Sequence, residues 1–93
     1  MPRTRHAYPN AATLTRRYEA AVRATREFHE FDPHRLRQEL AALREVRDLL
    51  AEGRQAKNRT ATIDFSRRWS AVFDQPRYGM AILYLRFGWI DGR

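Results

Sequence analysis

Residues 12–50 contain two amphipathic helical repeats joined by a short acidic corner, Glu30-Phe31-Asp32-Pro33, and this pairing restricts the fold more than any other feature of the chain. In the first repeat Leu14, Tyr18, Ala21, Val22, Thr25 and Phe28 recur at helical steps. In the second, Leu36, Leu40, Leu43, Val46, Leu49 and Leu50 do the same. That period gathers each set onto one stripe of a helix, and the stripe must be buried against something. A corner this short makes the two helices antiparallel neighbours, so each stripe finds the other. The fold class expected is all-α, a helical hairpin extended to a three-helix bundle.

Local signals place the ends. The sequence predicts a first helix over about 11–30, with Asn10 or Thr13 accepting an orphan backbone N–H at its start. Glu19–Arg23, Arg23–Glu27 and Arg26–Glu30 stand four apart on its outer face, where such pairs contribute roughly 0.2–0.5 kcal/mol each. Asp32 suits an N-cap and Pro33 the first helical position. The second helix is expected to stop at Gly53 in a left-handed C′ conformation. A polar, basic loop over 53–61 then leads to a third helix over 62–74, capped by Thr60 or Thr62. Its apolar stripe is Phe65, Trp69, Val72 and Phe73, and Gln75-Pro76 ends it.

The chain reads as one small domain: a basic arm over 1–11, the three-helix region over 12–75 and an apolar segment over 76–93. The stretch from Tyr78 to Ile90 is the most apolar of all, with Arg86 interrupting it. It falls short of the roughly 20 helical residues that span a bilayer. Periodicity does not decide between helix and strand here. Three helices already close a small core, so the segment is expected to dock on a partner or lie at a membrane surface, with Tyr78, Leu83, Tyr84, Phe87 and Trp89 as contacts. The other reading is a fourth core helix.

Size and charge point toward partners. A chain of 93 residues with no cysteine has a thin core and no disulfide or thiolate metal site to staple it. Of 18 basic residues Lys57 is the one lysine, and the net charge is +7. Arginine pairs bidentately with carboxylate and phosphate, although a GC-rich coding bias produces the same usage. The excess sits on the flanks, since residues 19–53 carry more acid than base. Residues 1–18 hold four arginines and no acid, the chemistry of a transit peptide or of a plain basic tail, with Arg3, Arg5, Arg16 and, further on, Arg23 available to a partner.

No catalytic constellation is visible. His6, His29 and His34 lack the spacing of a helix-borne metal pair, the glycines are scattered, and Ser66 and Ser70 have no base in a suggestive position. No cofactor is expected. Arg54, Lys57, Arg59, Arg67 and Arg68 form a basic cluster beside Phe65 and Trp69, a mixture that can hold phosphates and stack bases. The two aromatics also fit the apolar stripe of the third helix.

Helix 1 carries Tyr18, Val22-Arg23 and Phe28, and helix 2 carries Val46-Arg47-Asp48. In type and spacing these resemble the signature of LYR-motif proteins, over roughly residues 12–53; Arg17 and Glu19 stand where that signature has leucine and arginine. The resemblance implies a small basic three-helix mitochondrial protein that acts as an accessory subunit or assembly factor, in many cases bound to acyl carrier protein through basic residues. It implies that Tyr18, Val22 and Phe28 line the inner face, that Arg23 faces a partner, and that the 54–68 cluster is available to an acidic partner. The expectation is therefore a non-enzymatic accessory subunit of an inner-membrane respiratory-chain or ATP-synthase complex, on the matrix side or membrane-associated. The alternative is an RNA-contacting subunit of a mitochondrial ribosome.

Overall fold

The computed structural model describes residues 9–89, and among these every regular element is helical. Helix α1 spans Ala11–Phe28, α2 Pro33–Gln55, α3 Arg59–Phe73 and α4 Gly79–Leu85, with a 3-10 turn at Pro76–Tyr78 leading into α4. Arg3 and Arg5 lie outside the described residues.

Three helices start on a side-chain oxygen. Asn10 Oδ1 accepts from the Thr13 N–H at 2.8 Å, Asp32 Oδ1 from Arg35 at 3.1 Å and Asn58 Oδ1 from Ala61 at 2.8 Å. Each cap is worth about 1 kcal/mol. The cap of α3 is thus Asn58, upstream of Thr60 and Thr62. The helix begins earlier than the sequence predicts because an amide oxygen is available there and Thr62 instead donates its hydroxyl to the Asn58 carbonyl.

Gly53 does not end α2. The helix runs through it to Gln55, and the missing side chain serves a different purpose. A Cβ at Gly53 would stand 2.6 Å from two ring carbons of Phe65, so the bare backbone is the floor on which α3 seats its one buried residue. Outside this seat, Arg68 on α3 makes a bidentate pair with Glu52 on α2, at 2.6 and 3.2 Å.

The hairpin of α1 and α2 forms as its stripes require, but the element that completes the core is α4. Leu14 and Ala21 of α1, Ala42, Leu43, Val46 and Leu50 of α2, and Tyr78, Ala81, Ile82 and Leu85 make one buried cluster. Trp69 and Val72 of α3 reach only its margin. The expected bundle of the first three helices is replaced by one of α1, α2 and α4, with α3 laid across the C-terminal end of α2. The packing explains the exchange. Ala21, Ala42 and Ala81 are buried, one from each core helix, and such small residues let helix axes approach closely. The stripe of α3 presents bulky rings instead. Full burial of Leu43, Leu50, Leu85 and Val46 contributes about 1.5–3 kcal/mol apiece.

Candidate interaction surface

The last helix is fastened at both ends. At its C-terminus the Arg17 guanidinium donates from one nitrogen to the carbonyls of Leu85 and Arg86, at 3.0 and 3.1 Å. A cation there also complements the negative end of the helix dipole. Gly88 follows with φ +68°, a conformation that suits glycine, and a Cβ on it would meet the Arg17 guanidinium at 2.8 Å. At the N-terminal end, Tyr78 is buried and its hydroxyl donates to Glu45 Oε1 while accepting from Arg77. Burial, then the hydrogen bond to the Glu45 carboxylate, push the Tyr78 phenol above its ordinary pKa.

A helix apolar on every side, once fastened by one face, must show the other. Tyr78, Ala81, Ile82 and Leu85 point inward; Met80, Leu83 and Phe87 stand exposed. Exposed Phe73, at the end of α3, joins them. Between these elements runs an apolar groove of about 450 Å³, floored by Ile82 and walled by Phe73, Pro76, Met80, Leu83 and Phe87. A second recess of about 370 Å³ lies on the far side of Phe73 and Phe87, against Trp69 and Arg86. Trp69 and Phe73 in its wall stand 6.2 Å apart between centroids, buried Phe65 continues the row behind Trp69 at 6.2 Å, and Arg86 lies over the Trp69 and Phe87 rings at 5.9 and 5.1 Å. Four exposed apolar side chains, Phe73, Met80, Leu83 and Phe87, thus line one groove.

The residues singled out from sequence divide as follows. Leu83, Phe87 and Trp89 face outward, and half-buried Tyr84 stacks on Trp89 at 6.1 Å. Tyr78, a partner contact on the sequence reading, is instead a core residue, because the turn that leads into α4 aims it inward with Ala81, Ile82 and Leu85. Tyr18 and Val22 pack against the core, and Arg47 lies over the Tyr18 ring at 4.3 Å. Phe28 is not on the inner face: it is 84% exposed, since α1 ends there, beyond the reach of α4. Arg16 and Arg23 are exposed on α1. Arg54, Lys57, Arg59 and Arg67 are exposed, with no carboxylate of the described residues within 4 Å. Arg68 is held by Glu52 and by Asp64 at 3.4 Å. The hydrogen bond from Arg68 lowers the Glu52 pKa, and the bond to Glu52 raises that of Arg68.

Sequence reasoning missed Arg17 and Glu45, the two charged residues that fix α4. The available signal was position: Arg17 directly precedes Tyr18 and Glu45 directly precedes Val46, so each borders its helix's apolar stripe. Among the described residues no group of three or more histidines or carboxylates is placed to hold a metal, and no helix is long and apolar enough to cross a membrane. Compared with known proteins, the chain matches no family model, no curated protein and no solved structure.

Proposed function

We propose that the protein is a structural accessory subunit that works by contact, seating an apolar element of a neighbouring subunit in the groove between α3 and α4. The observation that carries this reading is the outward row of Phe73, Met80, Leu83 and Phe87 around that groove. Interface cores are enriched in aromatic and Met side chains at desolvated centres, and Phe73, Met80 and Phe87 are such side chains here. The finer assignment is to a mitochondrial inner-membrane assembly, of the respiratory chain or ATP synthase. It rests on the acid-free stretch of residues 1–18 and on the LYR-like pattern of α1. Acyl carrier protein is one neighbour that this pattern suggests. Subcellular fractionation and co-purification of a tagged copy from its native source test both levels. The proposal expects a fixed set of stoichiometric subunits in the mitochondrial fraction, and recovery of the chain alone in another compartment would overturn it.

Exposed Arg54, Lys57, Arg59 and Arg67 favour a second reading, an RNA-contacting ribosomal subunit. Phosphate neutralisation by these four side chains makes affinity fall steeply with salt. Absence of RNA binding at low salt would remove this reading.

A further inference from the structure

Phe28 and Phe31 are 84% and 91% exposed, the most open of the large apolar side chains among the described residues. They flank the corner between α1 and α2, with the His29 ring edge-on to Phe28 at 4.9 Å. A phenylalanine left in water forgoes about 1.5–3 kcal/mol that burial would return. Glu27, Glu30 and Asp32 surround the pair, and no arginine or lysine lies between Glu27 and His34. None of these three carboxylates has a cation of the described residues within 4 Å. In a chain of net charge +7, the corner is an acidic aromatic knob.

The complementary surface begins a few residues further on. A cleft of about 670 Å³ runs between the first half of α2 and the turn before α4, lined by His34, Arg35, Arg37 and Arg77, with Glu39 as its one carboxylate. Ala41, Ala42, Pro76 and Met80 give it apolar walls. Arg35 faces Glu39 and Arg77 faces Glu45, each at 3.6 Å, while Arg37 has no carboxylate of the described residues within 4 Å.

We propose that the knob of one copy docks in this cleft on a second copy, giving a reciprocal dimer. The charges match in sign: carboxylates around the rings meet arginines around the cleft. Knob and cleft both adjoin the first turn of α2, so a two-fold axis beside that turn lets each copy fill the other's cleft, and association closes at two. Two nearly bare rings offer about 150–250 Å² each, roughly half of the ~800 Å² per partner of a standard interface; with the cleft walls added, the contact is that of a weak, concentration-dependent dimer. Repulsion between two chains of charge +7 is screened beyond about 8–10 Å at physiological salt, whereas the knob and cleft meet at contact. Anionic lipid and RNA carry the wrong sign for the knob.

Sedimentation equilibrium of the full chain over a wide concentration range tests this. A concentration-dependent dimer is expected, and Phe28→Ser with Phe31→Ser raises its Kd at least about a hundredfold. Both rings are exposed, so the double variant keeps its helical circular dichroism. Glu30→Arg alone and Arg37→Glu alone are each expected to be monomeric, and a mixture of the two restores a heterodimer. A wild-type chain monomeric at every concentration overturns the proposal; so does a dimer unmoved by the phenylalanine substitutions, or a mixture that stays monomeric. Pro76 and Met80 border both the cleft and the α3–α4 groove, but none of these substitutions falls on a groove residue, so loss of the dimer and loss of partner binding at the groove are read by different variants.

Discussion

Arg17 closes the fold by donating to the Leu85 carbonyl at 3.0 Å, across 68 residues of chain. The same nitrogen reaches the Arg86 carbonyl, and Gly88 turns the backbone beside the guanidinium. Arg17→Gln is expected to cost roughly 1.5–3 kcal/mol in urea unfolding, the range for hydrogen bonds to a charged donor. Gly88→Ala adds left-handed strain of about 1–2 kcal/mol to a steric conflict with that guanidinium. The two residues share one contact, so the double variant is expected to lose less than the two single losses combined, which a double-mutant cycle measures.

Gly53 and Gly79 separate space from propensity. Alanine is the better helix former, by about 1 kcal/mol in a helix interior such as that of Gly53 and by less in the first turn, where Gly79 stands. At Gly53 the new methyl would collide with the Phe65 ring, whereas at Gly79 nothing lies within 4 Å. Gly79→Ala is expected to raise the melting temperature. Gly53→Ala is expected to lower it and to expose the α3 amides to hydrogen exchange ahead of the core helices.

The raised pKa of Tyr78 gives stability an alkaline limit. Folding favours the protonated phenol. Its contribution is therefore fully present below the unfolded value near 10 and is lost as pH climbs through the higher folded value. Tyr78→Phe removes the bond to Glu45, costs about 0.5–1.5 kcal/mol at neutral pH, and is expected to flatten this alkaline loss. Glu52 works at the acid end: its lowered pKa gives a contribution present above its ordinary 4.5 and lost as pH falls, a small effect because the pair with Arg68 is exposed. Chemical denaturation across the pH range reads both limbs.

The helical hairpin was legible because its stripes and caps agree: Asn10, Asp32 and Pro33 mark boundaries that the apolar spacing also demands. The last helix was not, for a physical reason. Between Tyr78 and Phe87 nearly every residue is apolar, so the inward set Tyr78, Ala81, Ile82, Leu85 and the outward set Met80, Leu83, Phe87 overlie one another without a polar face to separate them. Gly53 misled because the glycine that ends a helix and the glycine that seats a neighbouring ring look alike in sequence. Phe28 misled because its spacing continues the α1 stripe past the point where α4 can cover it. Of the surface now proposed, Leu83 and Phe87 were readable as contacts; Phe73 reads as part of the apolar stripe of the third helix and stands exposed.

The most direct test of the central claim, that the outward face of α4 is an interface, compares tagged wild-type protein with a Leu83→Glu, Phe87→Glu variant purified from the native source. Both side chains are exposed, so the variant is expected to keep its helical circular dichroism while losing the subunits that accompany the wild type. Recovery of the same subunits in the same proportions with the variant would contradict the account.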